Sequence, residues 1–220
     1  MDSTDPRRAS LLDAAARLAL PLTATEADQL LAYLDLLQRW NGTYNLTAVR
    51  DPERMLTQHV VDCLAVIAPL RRQLKSLATT RLLDVGSGGG LPGIVIAILN
   101  PNIDVTCVDT VGKKAAFIQQ VAAQLRLRNL HSQHARVEQM KAVGFDVITS
   151  RAFASLSDFV RLSRERLAQD GVWLAMKGKD PADERAALPV DIDVFHVEQL
   201  AVPGLDAERC LVWMRPKLSL

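Results

Sequence analysis

The sequence predicts an α/β fold in which a helical cap precedes a mostly parallel, seven-stranded sheet that ends in an antiparallel hairpin. Three observations carry this prediction. Amphipathic helical patterns occupy the first third of the chain, short apolar runs alternate with helical segments from residue 80 onward, and two strand-like runs with a turn between them close the sequence. Such alternation indicates parallel strands, because each helix returns the chain to the same end of the sheet.

The cap is predicted to extend over residues 1–79 and the core over residues 80–220. No Gly/Ser-rich linker separates the two parts, so they are predicted to form one domain. Apolar residues at helical spacing predict two amphipathic helices, at 7–20 and 26–40, and a third helix from residue 51.

Local signals predict where these cap helices begin and end. Thr25 is the predicted N-cap of the second helix, and Asn41-Gly42 is its predicted end. The third helix is predicted to begin at Asp51, because Pro52 then occupies the first helical position, where a missing N–H costs nothing.

The core is predicted to alternate five strands with three helices before the hairpin. A turn-rich segment at 202–206 separates the last two strand-like runs. The predicted strands are 81–85, 103–108, 130–134, 145–149, 172–176, 194–200 and 210–214, and the predicted helices are 91–99, 111–127 and 155–168.

Composition places the chain among ordinary globular proteins, with 49% hydrophobic and 23% charged residues. Residues 1–10 contain no apolar core region, and no apolar run reaches the roughly 18 residues that a membrane span needs. Cys63, Cys107 and Cys210 form no CxxC pair and lie in apolar runs. Buried thiols in a reducing cytoplasm are therefore expected, and no metal site is expected.

The net charge of +1 conceals an uneven distribution. No acidic residue lies between Asp109 and Glu138, whereas several basic residues do. Such a stretch either steers a polyanion to one face of the protein or forms a solvated helix surface, and both interpretations stay open here. The basic residues concerned are Lys113, Lys114, Arg126, Arg128 and Arg136.

The most informative segment is D-V-G-S-G-G-G-L-P-G at residues 84–93, where a buried strand runs into four glycines within five positions. Glycines let the backbone turn tightly and approach a ligand, and the helix that follows offers free N–H groups. A ligand-binding loop is therefore predicted in preference to a simple turn. Asp84, at the end of the strand, is expected to hold the loop by hydrogen bonds.

Three ligands compete for this loop. An ATP phosphate loop would end in Gly-Lys-Ser/Thr, but Leu91-Pro92-Gly93 stands there. A nicotinamide dinucleotide stays open, because Gly88, Gly90 and Gly93 satisfy G-x-G-x-x-G and suit an oxidoreductase. The helical cap before the loop and the hairpin at the end of the sheet disfavour a nicotinamide dinucleotide. The loop sequence D-V-G-S-G-G-G favours S-adenosylmethionine (SAM).

Residues after the next strands could complete such a site. Asp109 ends the second strand, where a carboxylate can bind ribose hydroxyls, although it could also cap the following helix. Val137 and Glu138 follow the third strand and could read the adenine edge, although Glu138 could equally be a solvated side chain. Arg151 follows the fourth strand, close to both cofactor and substrate. Methyltransferases that modify exocyclic amines of nucleic acids usually carry Asn/Asp-Pro-Pro after this strand. That motif is absent here, which argues against methylation of an exocyclic amine.

Together these segments resemble the bacterial small-subunit ribosomal RNA methyltransferase G family, also called glucose-inhibited division protein B. GLPGI after the glycines combined with SRAFASL at 150–156 is highly specific, and the resemblance runs from about residue 44 to 178. The matching segments are Y-N-L-T-A-V-R at 44–50, His59, 84–94, Asp109 with Gly112-Lys113, 136–138, 150–156 and Lys177-Gly178, with Leu205-Asp206 and Glu208-Arg209 similar beyond them.

The resemblance implies a Rossmann-like class I methyltransferase that uses SAM to methylate N7 of guanine 527 in the 530 loop of 16S rRNA, within the 30S subunit or an assembly intermediate. Guanine N7 carries no proton, so no general base and no catalytic residue is expected. The cofactor contacts expected from the resemblance, the loop and the ribose argument are Gly86, Ser87, Gly88, Leu91, Asp109, Val137, Glu138 and Arg151, with Arg151 positioning the cofactor or the base.

Four basic residues are expected to contact the RNA: Lys113, Arg128, Arg136 and Lys177. Lys177 ends the fifth strand at the functional edge of the sheet, where a phosphate contact is favoured. His59 lies on the inward side of its predicted helix, so a core histidine and an RNA contact are both open.

Overall fold

The structure, a computed structural model, describes residues 5–74, 80–151 and 153–217. Within these ranges no helix is long and apolar enough to cross a lipid bilayer. All three cysteines are buried free thiols, as their apolar surroundings in the sequence predict.

The cap begins with two helices, followed by a helical segment whose middle has π-helical geometry. The helices are α1 (Pro6–Arg17), α2 (Ala24–Tyr44), α3 (Pro52–Met55), a π-helical stretch (Leu56–Val61), α4 (Asp62–Leu64) and α5 (Ile67–Gln73). Asp51 is the N-cap of α3 with Pro52 after it, as predicted.

Two predicted boundaries of α2 are wrong. Thr23, and not Thr25, is the N-cap, because its side chain accepts from the Glu26 N–H while the Glu26 carboxylate accepts from the Thr23 N–H at 2.7 Å. The helix also passes through Asn41 and ends at Asn45, which adopts a left-handed conformation with φ +50°. The Asn41 side chain bonds instead to the loop that follows, accepting from the Thr47 N–H at 2.8 Å.

The sheet has seven strands in the order β3-β2-β1-β4-β5-β7-β6. The first five strands are parallel, and β7 lies antiparallel between β5 and β6, which confirms the predicted mostly parallel sheet and its closing hairpin. The strands are β1 (Thr80–Val85), β2 (Ile103–Asp109), β3 (Leu130–His134), β4 (Phe145–Ser150), β5 (Leu167–Lys177), β6 (Ile192–Gln199) and β7 (Cys210–Pro216).

Helices cover both faces of this sheet. The core helices are α6 (Gly93–Leu99), α7 (Gly112–Gln124), α8 (Leu156–Ser163) and the short α9 (Ala182–Ala186), which the sequence analysis did not predict. Leu30 and Leu34 of the cap share a hydrophobic core with Ile94 and Phe117, so the cap packs on the same face as α6 and α7. Helix α8 covers the other face through Phe159.

Candidate active site

Two clefts open at the edge of the sheet where the parallel strands have their carboxyl ends, the usual place for ligands in such sheets. The first, here called the loop cleft, measures about 430 Å³ and includes Gly86, Asp109, Val137 and Phe153 in its lining. The second, the cap cleft, measures about 370 Å³ and is lined by Gln58, His59, Asp62, Arg151, Met176, Lys177, Gly178 and Arg209.

The glycine loop at 86–90 adopts a backbone that L-residues with side chains rarely adopt. Gly86, Gly88 and Gly90 have φ values of +66°, +57° and +85°. A Cβ added at Gly86 would find no protein atom within 4 Å. The missing side chain of Gly86 therefore leaves open space in the loop cleft, and the need for glycine comes from the backbone conformation.

Three side chains from different elements hold this loop and the start of the helix that follows it. The Asp109 carboxylate accepts from the Gly88 N–H at 2.9 Å, and the Asp84 carboxylate accepts from the Gly93 N–H at 2.9 Å. The Tyr33 hydroxyl, from α2, donates to the Gly89 carbonyl at 2.9 Å. Asp84 has the structural position expected from the sequence, and its complete burial raises the pKa of its carboxyl to about 7.

The Asp109 carboxylate serves the backbone and still has capacity for a ligand. Its second oxygen accepts from the N–H of Val111 at 2.9 Å. Val111 is itself the N-cap of α7 and no side chain caps the helix, so this bond holds the turn before α7 and the capping interpretation of Asp109 is wrong. A carboxylate has about four acceptor positions, and these two bonds use half of them. The remaining positions suit the hydroxyls of a ribose in the loop cleft, so the ribose interpretation of Asp109 is compatible with the structure.

The structure brings some of the predicted cofactor residues together and separates others. Gly86, Asp109, Val137 and Glu138 line the loop cleft, joined by Arg136 from the turn after β3. Ser87 and Leu91 are buried at 3% and 4% exposure and, like Gly88, lie outside its lining. Direct contacts of these three residues with the cofactor stay predictions.

Arg151 lies in the cap cleft and not in the lining of the loop cleft. Its guanidinium lies 3.5 Å from the Asp62 carboxylate and donates to the Gln58 carbonyl at 3.0 Å. The Arg209 guanidinium binds the other Asp62 oxygen at 2.8 Å. Asp62 is 2% exposed, so one buried carboxylate joins two arginines from distant parts of the chain.

No pattern in the sequence predicts a role for Gln58, Asp62 or Arg209. Asp62 lies in a helical segment whose other buried residues are apolar except for His59, so its burial has no local signal. Glu208-Arg209 belongs to the segments that carry the resemblance, but Asp62, the partner of Arg209, lies 147 positions away in the sequence.

The expected RNA contacts do not form one face. The side chain of Lys177 is 15% exposed, and its amino group pairs with Glu184 of α9 at 2.8 Å. The amino group that was expected to bind an RNA phosphate therefore already has an acidic partner. Lys113 is exposed where α7 begins, at the edge that carries the clefts. Arg128 follows the end of α7, roughly 20 Å away along the helix, where β3 is about to begin. The basic stretch is therefore not one continuous surface.

His59 is buried at 5% exposure and bonds through Nε2 to the Thr47 hydroxyl at 2.8 Å. Its burial, followed by the positive charge of Arg151, lowers the pKa of the imidazole to about 4. The histidine is therefore neutral at physiological pH. His59 is thus a buried, hydrogen-bonded histidine that also lines the cap cleft.

The loop cleft fits SAM by its shape and by its donors and acceptors. Val85, Val108, Val137 and Phe153 offer apolar surface to a flat adenine ring, and Asp109 offers acceptors to hydroxyls. The volume lies within the range of small-molecule sites. Strand β7, inserted antiparallel, distinguishes this sheet from the 3-2-1-4-5-6 order of dinucleotide-binding folds. The fold and site define the class of Rossmann-like, SAM-dependent methyltransferases, which argues against a nicotinamide oxidoreductase.

Sequence comparison identifies the family within this class. Residues 26–212 match the model of rRNA small subunit methyltransferase G (GidB). The chain is 64% identical over 212 residues to a ribosomal RNA small subunit methyltransferase G of Leptothrix cholodnii, covering 96% of this chain and 97% of that protein. The chain belongs to the rRNA small subunit methyltransferase G family. It is a methyltransferase of small-subunit ribosomal RNA, and SAM is its methyl donor.

Solved structures support the fold. TrmN from Thermus thermophilus superposes with a TM-score of 0.55 at 19% identity, covering 74% of this chain and 53% of that one. A coclaurine N-methyltransferase bound to N-methylheliamine and S-adenosylhomocysteine (SAH) superposes with a TM-score of 0.54 at 12% identity, covering 89% and 73%. At these identities the similarity concerns the fold alone.

Proposed function

We propose that this protein transfers the methyl group of SAM to N7 of guanine 527 in the 530 loop of 16S rRNA, within the 30S subunit or an assembly intermediate. The observation that carries the proposal is the chemistry of the cap cleft. It has three basic side chains, and its carboxylate, Asp62, is bonded to two of them, Arg151 and Arg209. The third, Lys177, pairs with Glu184, so three cations meet two carboxylates. The cleft keeps a net positive charge that attracts a nucleotide, and it offers no free carboxylate base.

In this proposal the loop cleft holds the cofactor. Asp109 binds ribose hydroxyls, Val137 and Glu138 contact the adenine, and the open space at Gly86 admits the ligand. Bound there, SAM supplies a methyl group attached to a positively charged sulfur. The task of the protein is then to hold donor and acceptor in contact across the two clefts.

The cap cleft receives the guanine after it leaves its stack. Guanine N7 carries a lone pair and no proton, so its methylation needs no proton acceptor in the protein. The guanidinium of Arg151 stays charged throughout the physiological range and positions the nucleotide from the end of β4. Lys113 and Arg136, exposed at the same edge, supply phosphate contacts that orient the RNA.

Methyl transfer to defined RNA tests the function. We expect 16S rRNA from cells lacking the enzyme to gain one N7-methylguanosine at position 527 with purified protein and SAM. Naked rRNA, isolated 30S subunits and assembly intermediates should be compared as substrates. Reconstituted RNA with 7-deazaguanine at position 527 is the matched control, because it lacks the acceptor nitrogen and should gain no methyl group. Methylation of another guanine, or of an exocyclic amine, would contradict the proposal.

The rate of transfer should be nearly independent of pH. With saturating SAM and RNA, we expect the single-turnover rate to be flat between about pH 6.5 and 8.5. His59, with a pKa near 4, stays neutral over this range. The Asp84 carboxyl, with a pKa of about 7, loses its proton there, but its contact is with the Gly93 N–H, where α6 begins directly after the glycine loop. Its ionisation should therefore change the KM for SAM and leave the saturated rate unaltered.

Two variants separate these effects. Asp84→Asn cannot ionise, so the pH dependence of its KM for SAM should disappear. If the saturated rate instead rises through one pKa in this range, and His59→Gln removes that rise, a general base operates and the N7 mechanism without a base is wrong.

A further inference from the structure

Tyr33 connects the cap to the glycine loop. It lies in the middle of α2 with no exposed surface, and its ring contacts Phe117 of α7 with 6.3 Å between centroids. Its hydroxyl donates to the carbonyl of Gly89 at 2.9 Å. This bond spans 56 positions of sequence and joins an element outside the loop cleft to the segment that forms one of its walls.

Helix α2 also packs directly against the loop at this point. A Cβ added at Gly89 would lie 3.2 Å from Leu37 Cδ1 and 3.8 Å from the Tyr33 hydroxyl. Gly89 has no positive φ, so what matters at this position is the close approach of the helix. The Tyr33 bond is therefore formed across a tight contact between α2 and the loop.

The loop depends on such bonds for its conformation. Three of its glycines have left-handed backbones, and glycine loses more conformational freedom on ordering than any other residue. Asp109 holds the loop by the N–H of Gly88, and Asp84 holds the start of α6, directly after the loop, by the N–H of Gly93. Tyr33 holds the loop by the Gly89 carbonyl, between these two points, from helix α2 of the cap.

We propose that Tyr33 is a positioning residue that keeps the glycine loop in its cofactor-binding conformation, so that the cap contributes to SAM affinity without lining the loop cleft. This inference rests on the proposed assignment of the loop cleft to the cofactor. It gives the cap two tasks, because Gln58, His59 and Asp62 of the same cap line the cap cleft.

The test removes one oxygen atom. Tyr33→Phe keeps the ring and its contact with Phe117 but leaves the Gly89 carbonyl without its donor. We expect calorimetry to show SAH binding weakened about three- to tenfold, the usual consequence of one lost hydrogen bond. The KM for SAM should rise by a similar factor, while kcat and the KM for RNA stay unchanged. Backbone amides at 86–91 should exchange with deuterium faster in the free variant.

Tyr44→Phe is the matched control. Tyr44 lies at the end of the same helix, is 41% exposed and packs on Trp40, so losing its hydroxyl should leave SAH affinity unaltered. Thermal unfolding without ligand shows whether both variants keep the fold.

The outcomes distinguish this inference from the site assignment. If Tyr33→Phe binds SAH as wild type does while Gly86→Val loses binding, the positioning role is wrong and the site stands. If Gly86→Val also keeps its affinity, the assignment of the loop cleft is wrong as well. If Tyr33→Phe weakens SAM and RNA equally and destabilises the free protein, Tyr33 is a general structural residue and the inference fails.

Discussion

Replacing Gly86 by Val should remove most SAM binding and leave the protein folded. At φ +66° a residue with a Cβ costs about 1–2 kcal/mol, and a β-branched residue costs more. Because no protein atom lies within 4 Å of the added Cβ, the valine methyl groups would enter the loop cleft itself. We expect calorimetry with SAH to show a loss of more than about a hundredfold, the combined effect of backbone strain and occupied space.

Gly42→Val is the matched control for this substitution. Gly42 lies near the end of α2 without a positive φ, and a Cβ there also meets no atom within 4 Å. Valine is at least as favourable as glycine in a helix, so stability and SAH affinity should be retained. A Gly86→Val protein that binds SAH within tenfold of wild type would contradict the proposed cofactor site.

Replacing Asp62 by Asn should destabilise the protein by about 3 kcal/mol, the low end of the cost of breaking a buried ion pair. Asp62 is 2% exposed and binds Arg209 and Arg151, whose side chains are each about a quarter exposed. Without the carboxylate, both guanidinium groups keep their charge and lose the ionic partner that they share, although each keeps a bond to a backbone carbonyl. Methyl transfer should fall too, because Arg151 then loses one of the two contacts that hold it at the end of β4.

Denaturant unfolding of variants measures this loss. A double-mutant cycle with Arg209→Gln should give a coupling energy of at least about 1 kcal/mol, because the second substitution removes the charge left unpaired by the first. Asp28→Asn is the matched control, since Asp28 pairs with Arg8 at the surface with 46% of its side chain exposed and should cost less than about 1 kcal/mol. Equal losses of unfolding free energy in Asp62→Asn and Asp28→Asn would show that the buried ion pairs of Asp62 stabilise the fold no more than a surface pair does.

The sequence by itself determined the features that depend on neighbouring residues. The parallel sheet follows from alternating strand and helix patterns, and the start of α3 follows from Asp51 and Pro52. The glycine loop and the carboxylate of Asp109 on the next strand follow from the same local patterns. These signals act over a few residues, and parallel strands then bring their carboxyl ends together.

Some local boundaries were wrong because another local interaction was stronger. The reciprocal bonds of Thr23 and Glu26 begin α2 two residues before the predicted N-cap. Asn41 was expected to end that helix, but its side chain holds the loop at Thr47 and the helix continues. Several polar residues offered comparable caps, and the contacts of the folded chain selected among them.

Only the tertiary structure decided which charges meet. Arg209 and Asp62 are 147 positions apart, and Arg151 reaches the same carboxylate from the end of β4. Lys177 pairs with Glu184 because the unpredicted α9 brings this carboxylate to the end of β5, and the length of α7 separates Arg128 from Lys113. The Tyr33–Gly89 bond likewise depends on how the cap packs on the core. No periodicity encodes these pairs, because long-range contacts arise from the packing of whole elements.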